Sequence, residues 1–111
     1  MNDKYILDGT NPVPCDDMLQ GGLWFQTADR RVAQDQLPDG VIVSTVFLGL
    51  DHRFVGDGPP LLFETMIFGG PHDGYQDRYA TWTEAECGHR LALTIAQAAS
   101  GGSGKSSGGV D

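Results

Sequence analysis

Val41-Ile-Val-Ser-Thr-Val-Phe-Leu-Gly-Leu50 and Leu61-Leu-Phe-Glu-Thr-Met-Ile-Phe68 are the two stretches that decide the fold. Both are apolar and rich in β-branched and aromatic residues, the composition of strands. In the first, Val41, Val43, Thr45 and Phe47 face one way and Ile42, Ser44, Val46 and Leu48 the other. Both sides are largely apolar, which predicts a central strand. In the second, Leu61, Phe63, Thr65 and Ile67 oppose Leu62, Glu64, Met66 and Phe68, with Glu64 the one carboxylate. Pro38-Asp-Gly40 directly precedes the first run and is a turn by its chemistry, so residues 30–36 and 41–50 read as a hairpin. Gly69-Gly-Pro-His-Asp-Gly74 then turns the chain into a last strand near Tyr75–Ala80.

Outward from that core, Lys4-Tyr-Ile-Leu-Asp-Gly9 reads as a short strand and Asn11-Pro-Val-Pro14 as extended chain. Asp16-Asp17 offers an N-cap for a short helix reaching about Gln26, grouping Leu19, Leu23 and Trp24. Gly21-Gly22 weakens that helix by about 1 kcal/mol per glycine relative to alanine. Thr81-Trp-Thr-Glu84 has capping-box spacing and opens a second helix over residues 82–98. Its small-residue stripe is Ala85, Gly88, Ala92, Ile95, Ala96 and Ala99; Glu86, Arg90, Thr94 and Gln97 form the polar side. Trp82 is expected to anchor the core at the end of the sheet. The fold class is α+β: a small antiparallel sheet of four or five strands, with a C-terminal helix on one face and a short N-terminal helix. Residues 1–99 make one domain and residues 100–111 a Gly/Ser-rich tail.

The chain has 111 residues and a formal net charge of −8, which argues against unaided binding to a nucleic-acid backbone. Most of the acid is Asp in turn-like positions, where Asp serves the backbone. Two cysteines, Cys15 and Cys87, are too few for a disulfide framework and read as free thiols. Without a signal-like N-terminus or an apolar run near 18 residues, the expected setting is the cytoplasm, with no membrane partner.

No catalytic motif stands out. Ala99-Ser-Gly-Gly-Ser-Gly-Lys-Ser106 imitates a phosphate loop, but that chemistry needs a strand before it and a helix after it, and here a helix precedes. His52, His72 and His89 lack metal-ligand spacing, so no metal or other cofactor is expected. His89 sits at the border of the helix stripe, a usual place for a histidine in a core contact. The richest cluster is His52, Arg53 and Phe54 with Tyr75, Arg78 and Tyr79: arginine suits phosphate and aromatic rings suit bases. The plainer reading puts those rings in the sheet core and the arginines at its rim.

Several segments together carry a resemblance: Lys4-Tyr-Ile-Leu-Asp-Gly9, Pro14-Cys-Asp-Asp17, Thr27-Ala-Asp-Arg-Arg-Val-Ala33, Val43-Ser-Thr-Val-Phe-Leu-Gly-Leu-Asp-His52, Pro60-Leu-Leu-Phe-Glu-Thr-Met-Ile-Phe-Gly-Gly70 and Tyr79-Ala-Thr-Trp-Thr-Glu-Ala-Glu-Cys-Gly-His89. Over about residues 3–95 the chain resembles a family of short proteins encoded in tailed-phage and prophage genomes. Gly21-Gly22, where such proteins more often carry a bulkier residue, and the Gly/Ser tail depart from it. The resemblance brings no catalytic residue with it. It implies an accessory binding protein, not an enzyme, that counters host defence inside the host cell. The first expectation is sequestration of a small phosphorylated ligand, a nucleotide-type immune signal, by Arg53, Arg78, His52, Phe54, Tyr75 and Tyr79, with two copies pairing around it. The alternative partner is a host defence protein, blocked by an acidic mimic of nucleic acid in the manner of anti-CRISPR proteins; Asp35, Asp39, Asp73 and Asp77 would serve it. A small hydrolase using Asp51, His52 and Glu64 is a further alternative.

Overall fold

Alternation in the sequence becomes pairing in the structure, a computed structural model that describes residues 4–51 and 58–100. Two strands, β1 (Tyr5–Asp8) and β2 (Asn11–Pro14), form an antiparallel ribbon of their own. Helix α1 (Met18–Thr27) follows. Then come β3 (Arg31–Gln36), β4 (Ile42–Phe47), β5 (Phe63–Phe68) and β6 (Gln76–Tyr79), a four-stranded antiparallel sheet in chain order. Helix α2 (Trp82–Ser100) closes the described chain and lies against all four of these strands.

The predicted α+β class is therefore the observed one, with β4 and β5 central. The N-terminal strand is not a fifth member of the sheet. It pairs with Asn11–Pro14 and touches the end of β4 through the Tyr5 N–H donated to the Gly49 carbonyl at 2.7 Å.

Register fixes which residues are buried together. Val43 stands between Asp35 and Ile67, Thr45 between Ala33 and Thr65, and Phe47 beside Phe63. That face lies under α2, and Val43, Thr45, Phe47, Phe63, Thr65 and Ile67 are all fully buried. Ala85, Ala92 and Ala96 of the predicted stripe meet it, small enough to bring the helix backbone close to the sheet. Gly88 belongs to the same stripe for a stronger reason. A Cβ there would lie 2.1 Å from the Tyr79 Cζ, so only glycine lets that ring lie against the helix.

The second core region joins the sheet to the N-terminal part. Trp24 meets Phe47 edge-on at 5.7 Å, Phe47 meets Phe63 at 5.3 Å, and Phe63 meets Trp82 edge-on at 6.1 Å. Trp82 is thus packed at the end of the sheet, partly exposed. Phe25 rests on Gly49, whose φ is +82° and whose place a side chain could not share: a Cβ would sit 1.9 Å from the Phe25 Cζ.

Helix α1 starts as its sequence predicts, with the Asp17 carboxylate accepting from the Leu19 and Gln20 amides at 3.0 and 3.1 Å. It continues through Gly21-Gly22. The expected grouping of Leu19 with Leu23 and Trp24 does not form. Leu19 and Leu23 point to solvent, and Trp24 and Phe25 are the pair that docks. Two adjacent rings reaching over the sheet end bury more area than a leucine stripe, and they set the rotation of the helix. The α2 capping box is observed: Glu84 N–H donates to Thr81 Oγ1 at 3.1 Å and Thr81 N–H to Glu84 Oε1 at 3.2 Å.

Candidate functional site

A groove of about 530 Å3 runs between the outer edge of β6 and the N-terminal half of α2. Arg78 and Tyr79 reach it from the strand, Thr83, Glu84, Cys87 and Leu91 from the helix, and Pro59 and Leu61 from the chain entering β5. Leu91 is 56% exposed and Cys87 is exposed, so the wall contributed by the helix is open to solvent.

Strand parity decides what Arg78 and the tyrosines can do together. Tyr79 stands opposite Phe63 and faces α2; Arg78 stands opposite Glu64 and faces away from it. Tyr75 packs against the core cluster that contains Val43, Ile67 and Ala96 and does not line the groove. The two tyrosines therefore take the core role, and Arg78 the rim role. Arg78 Nε donates to Glu64 Oε2 at 3.0 Å, and Gln76 Nε2 donates to the same oxygen. A phosphate arriving at Arg78 has to compete with that carboxylate. His52, Arg53 and Phe54 lie outside the described residues.

Burial pushes the Tyr75 and Tyr79 phenols above the usual tyrosine range, and the charge of Asp77 adds to the shift; at Tyr79 the Thr65 hydroxyl offsets part of it. Among the described residues the buried Tyr79 hydroxyl finds no partner at hydrogen-bonding geometry.

Sequence reasoning missed the four-residue polar cluster that spans the described core. His89 is 4% exposed, seated on α2 above the sheet. Its Nε2 lies 2.7 Å from Asp35 Oδ2 on β3, its Nδ1 2.7 Å from Thr45 Oγ1 on β4, and Thr45 Oγ1 2.5 Å from Thr65 Oγ1 on β5. A carboxylate only accepts, so Nε2 carries a proton toward Asp35. In the neutral ring Nδ1 then accepts from the Thr45 hydroxyl, and Thr45 in turn accepts from Thr65. The order hydroxyl, imidazole, carboxylate is that of a hydrolytic triad. Its position is not: Thr45 and Thr65 are fully buried beneath α2, where no substrate carbonyl can approach. The cluster ties three strands to one helix. The signal available in the sequence was a set of polar residues, Thr45, Thr65 and His89, at positions whose neighbours i±2 or i±4 are all apolar.

The other hydrolase candidates are engaged elsewhere. Glu64 is held by Arg78, and Asp51 Oδ1 accepts from the Leu61 amide at 3.0 Å, tying the two ends of the connection between β4 and β5. Among the described residues no three His, Cys, Asp or Glu side chains gather closely enough to hold a metal ion. No helix among the described residues is long and apolar enough to cross a membrane.

The four aspartates considered for an acidic decoy all have duties within the fold. Asp35 holds His89; Asp39 Oδ1 accepts from the Val41 amide at 3.1 Å; Asp73 Oδ1 accepts from the Gly69 amide at 2.7 Å; Asp77 Oδ1 accepts from the Arg78 amide at 3.0 Å. The last three are Asx-type contacts that close turns or cover a strand-edge amide. A second hollow of about 340 Å3 lies between the β1–β2 ribbon and α1, lined by Ile6, Cys15, Phe25 and Leu48 with the bare backbone of Gly21 and Gly22. In comparisons with protein-family models, curated proteins and solved structures, nothing matches the chain.

Proposed function

We propose that this chain is a non-catalytic binding protein of the phage-accessory type, which counters host defence by sequestering a nucleotide-type signal in the host cytoplasm. The observation that carries the reading is the groove between β6 and α2, a concave surface with an arginine at its rim and apolar walls from Pro59, Leu61 and Leu91. Ligand pockets have that composition: mostly apolar lining and a few polar groups that fix orientation. Binding is favoured over catalysis because the hydroxyl–imidazole–carboxylate series found among the described residues has its hydroxyl and its imidazole buried beneath α2. A small ligand is favoured over an acidic decoy because Asp35, Asp39, Asp73 and Asp77 already serve the fold.

On a chain with a net charge of −8, a phosphorylated ligand needs a local cation to offset long-range repulsion. Arg78 is the groove's arginine, and Glu64 sets how strongly it attracts an anion. Glu64→Gln should therefore tighten binding of a cyclic dinucleotide or an ADP-ribose derivative. The test is a thermal-shift screen of the whole chain against such ligands, since a bound ligand stabilises by mass action, about 2.7 kcal/mol at a hundredfold excess over Kd. A screen in which no nucleotide raises the melting temperature of the wild type or of Glu64→Gln contradicts the proposal.

A further inference from the structure

The sheet has a second face, which no described element covers. It carries Ile42 and Val46 of β4 and Met66 and Phe68 of β5 as an apolar centre, and Phe68 is 47% exposed. Gln34 and Gln36 of β3 and Gln76 of β6 border it on either side. Glu64 is the only strand carboxylate on this face, and it is already neutralised by Arg78 and bonded to Gln76. Arg31, at a far corner, is paired with Asp29.

We propose that this face is the docking surface for a second copy of the chain, packed sheet on sheet about a two-fold axis. Charge makes the first argument. Two chains of net charge −8 repel each other over most of their surfaces. On this face the strand charges are mutually satisfied within one chain, so its burial leaves no unpaired ion. The second argument is self-complementarity. A two-fold axis brings each patch against itself, and glutamine amides both donate and accept, so Gln34, Gln36 and Gln76 can bond to their own kind across the rim. Area makes the third. Three six-residue strands and one of four, at about 3.3 Å per residue and about 4.8 Å apart, give a footprint of roughly 350 Å2 per copy. Side chains standing on that plane expose somewhat more, which suits a reversible dimer and not an obligate one. Sheets so paired sit about 10 Å apart, the distance that interdigitated Ile, Met and Phe side chains fill.

This surface shares Arg78 with the groove but none of the groove's apolar walls, and its test needs no ligand. Sedimentation equilibrium of the full chain over a wide concentration range should show a monomer–dimer equilibrium that high salt does not weaken. Phe68→Glu should raise the dissociation constant at least about tenfold without lowering the melting temperature of the dilute protein. Leu19→Glu, an equally drastic change at a 73% exposed leucine on α1, should leave it unchanged. If Phe68→Glu disturbs folding, amide shifts of the wild type on dilution give the same answer, because they should concentrate in β4 and β5. A wild type that stays monomeric at the highest concentration overturns the proposal. So does a dimer that Phe68→Glu leaves intact or whose dilution shifts map to α1 or α2.

Discussion

His89 shows how much a single side chain can hold together. Its ring bonds Asp35 and Thr45 directly and Thr65 through Thr45, linking three strands to one helix. His89→Ala removes the ring and leaves the two buried hydroxyls without its acceptor, at a cost of about 1–3 kcal/mol for the lost bonding besides the cavity. We expect a loss of about 3 kcal/mol or more in urea unfolding. The double change Thr45→Val and Thr65→Val made with His89→Leu should recover much of it, because an apolar set of similar shape leaves nothing unsatisfied. Tyr79 is the opposite case. Among the described residues its buried hydroxyl has no partner at hydrogen-bonding geometry, so Tyr79→Phe should leave stability unchanged or raise it by about 1 kcal/mol. The raised phenol pKa values of Tyr75 and Tyr79 fix the sign of an alkaline effect. The contribution is fully present below the ordinary tyrosine pKa, about 10, and is lost as pH rises through the higher folded values. Urea midpoints should thus fall on the alkaline side of pH 10, and fall less in Tyr79→Phe.

At the scale of elements, helix α1 holds two glycines that its backbone does not require. A Cβ at Gly22 would meet nothing within 4 Å, and one at Gly21 only the Cys15 Sγ at an ordinary 3.5 Å. Gly22→Ala should therefore stabilise the protein by about 1 kcal/mol, read as a raised urea midpoint at an unchanged slope. Trp82→Ala, which strips an edge-on partner from Phe63 at a half-buried site, should cost about 3 kcal/mol. The elements themselves were legible because their signals are local. Period-two alternation fixed β4 and β5, Pro38-Asp-Gly40 fixed their hairpin partner, and the alanine stripe fixed the buried side of α2. The rotation of α1 was not legible, since it follows from Phe25 finding Gly49, 24 residues away in sequence, and no local pattern encodes that pairing. The His89 cluster was hidden for the same reason: its partners lie 44 and 54 residues away. For the site, the sequence grouped Arg78 with Tyr75 and Tyr79; in the structure Arg78 and Tyr79 border one groove, and strand parity turns both tyrosines toward α2.

At the scale of the whole molecule, the account rests on a ligand held beside β6 and α2 with Arg78 at the phosphate. Truncating Arg78 alone would leave the largely buried Glu64 carboxylate with Gln76 but without its cation, confusing lost binding with lost stability. The pair Glu64→Gln with Arg78→Gln avoids this, because it removes both charges and keeps hydrogen-bonding groups on both strands. An acidic decoy behaves differently: its affinity for a partner falls steeply with salt and depends on carboxylates, not on Arg78. The most direct measurement is calorimetric titration of a nucleotide found in the thermal screen into wild type, Glu64→Gln and the Gln/Gln double variant, at low and high salt. Saturable heat is expected with the wild type, tighter binding with Glu64→Gln, and none with the double variant, whose melting curve stays close to wild type. Equal binding by all three proteins would contradict that expectation.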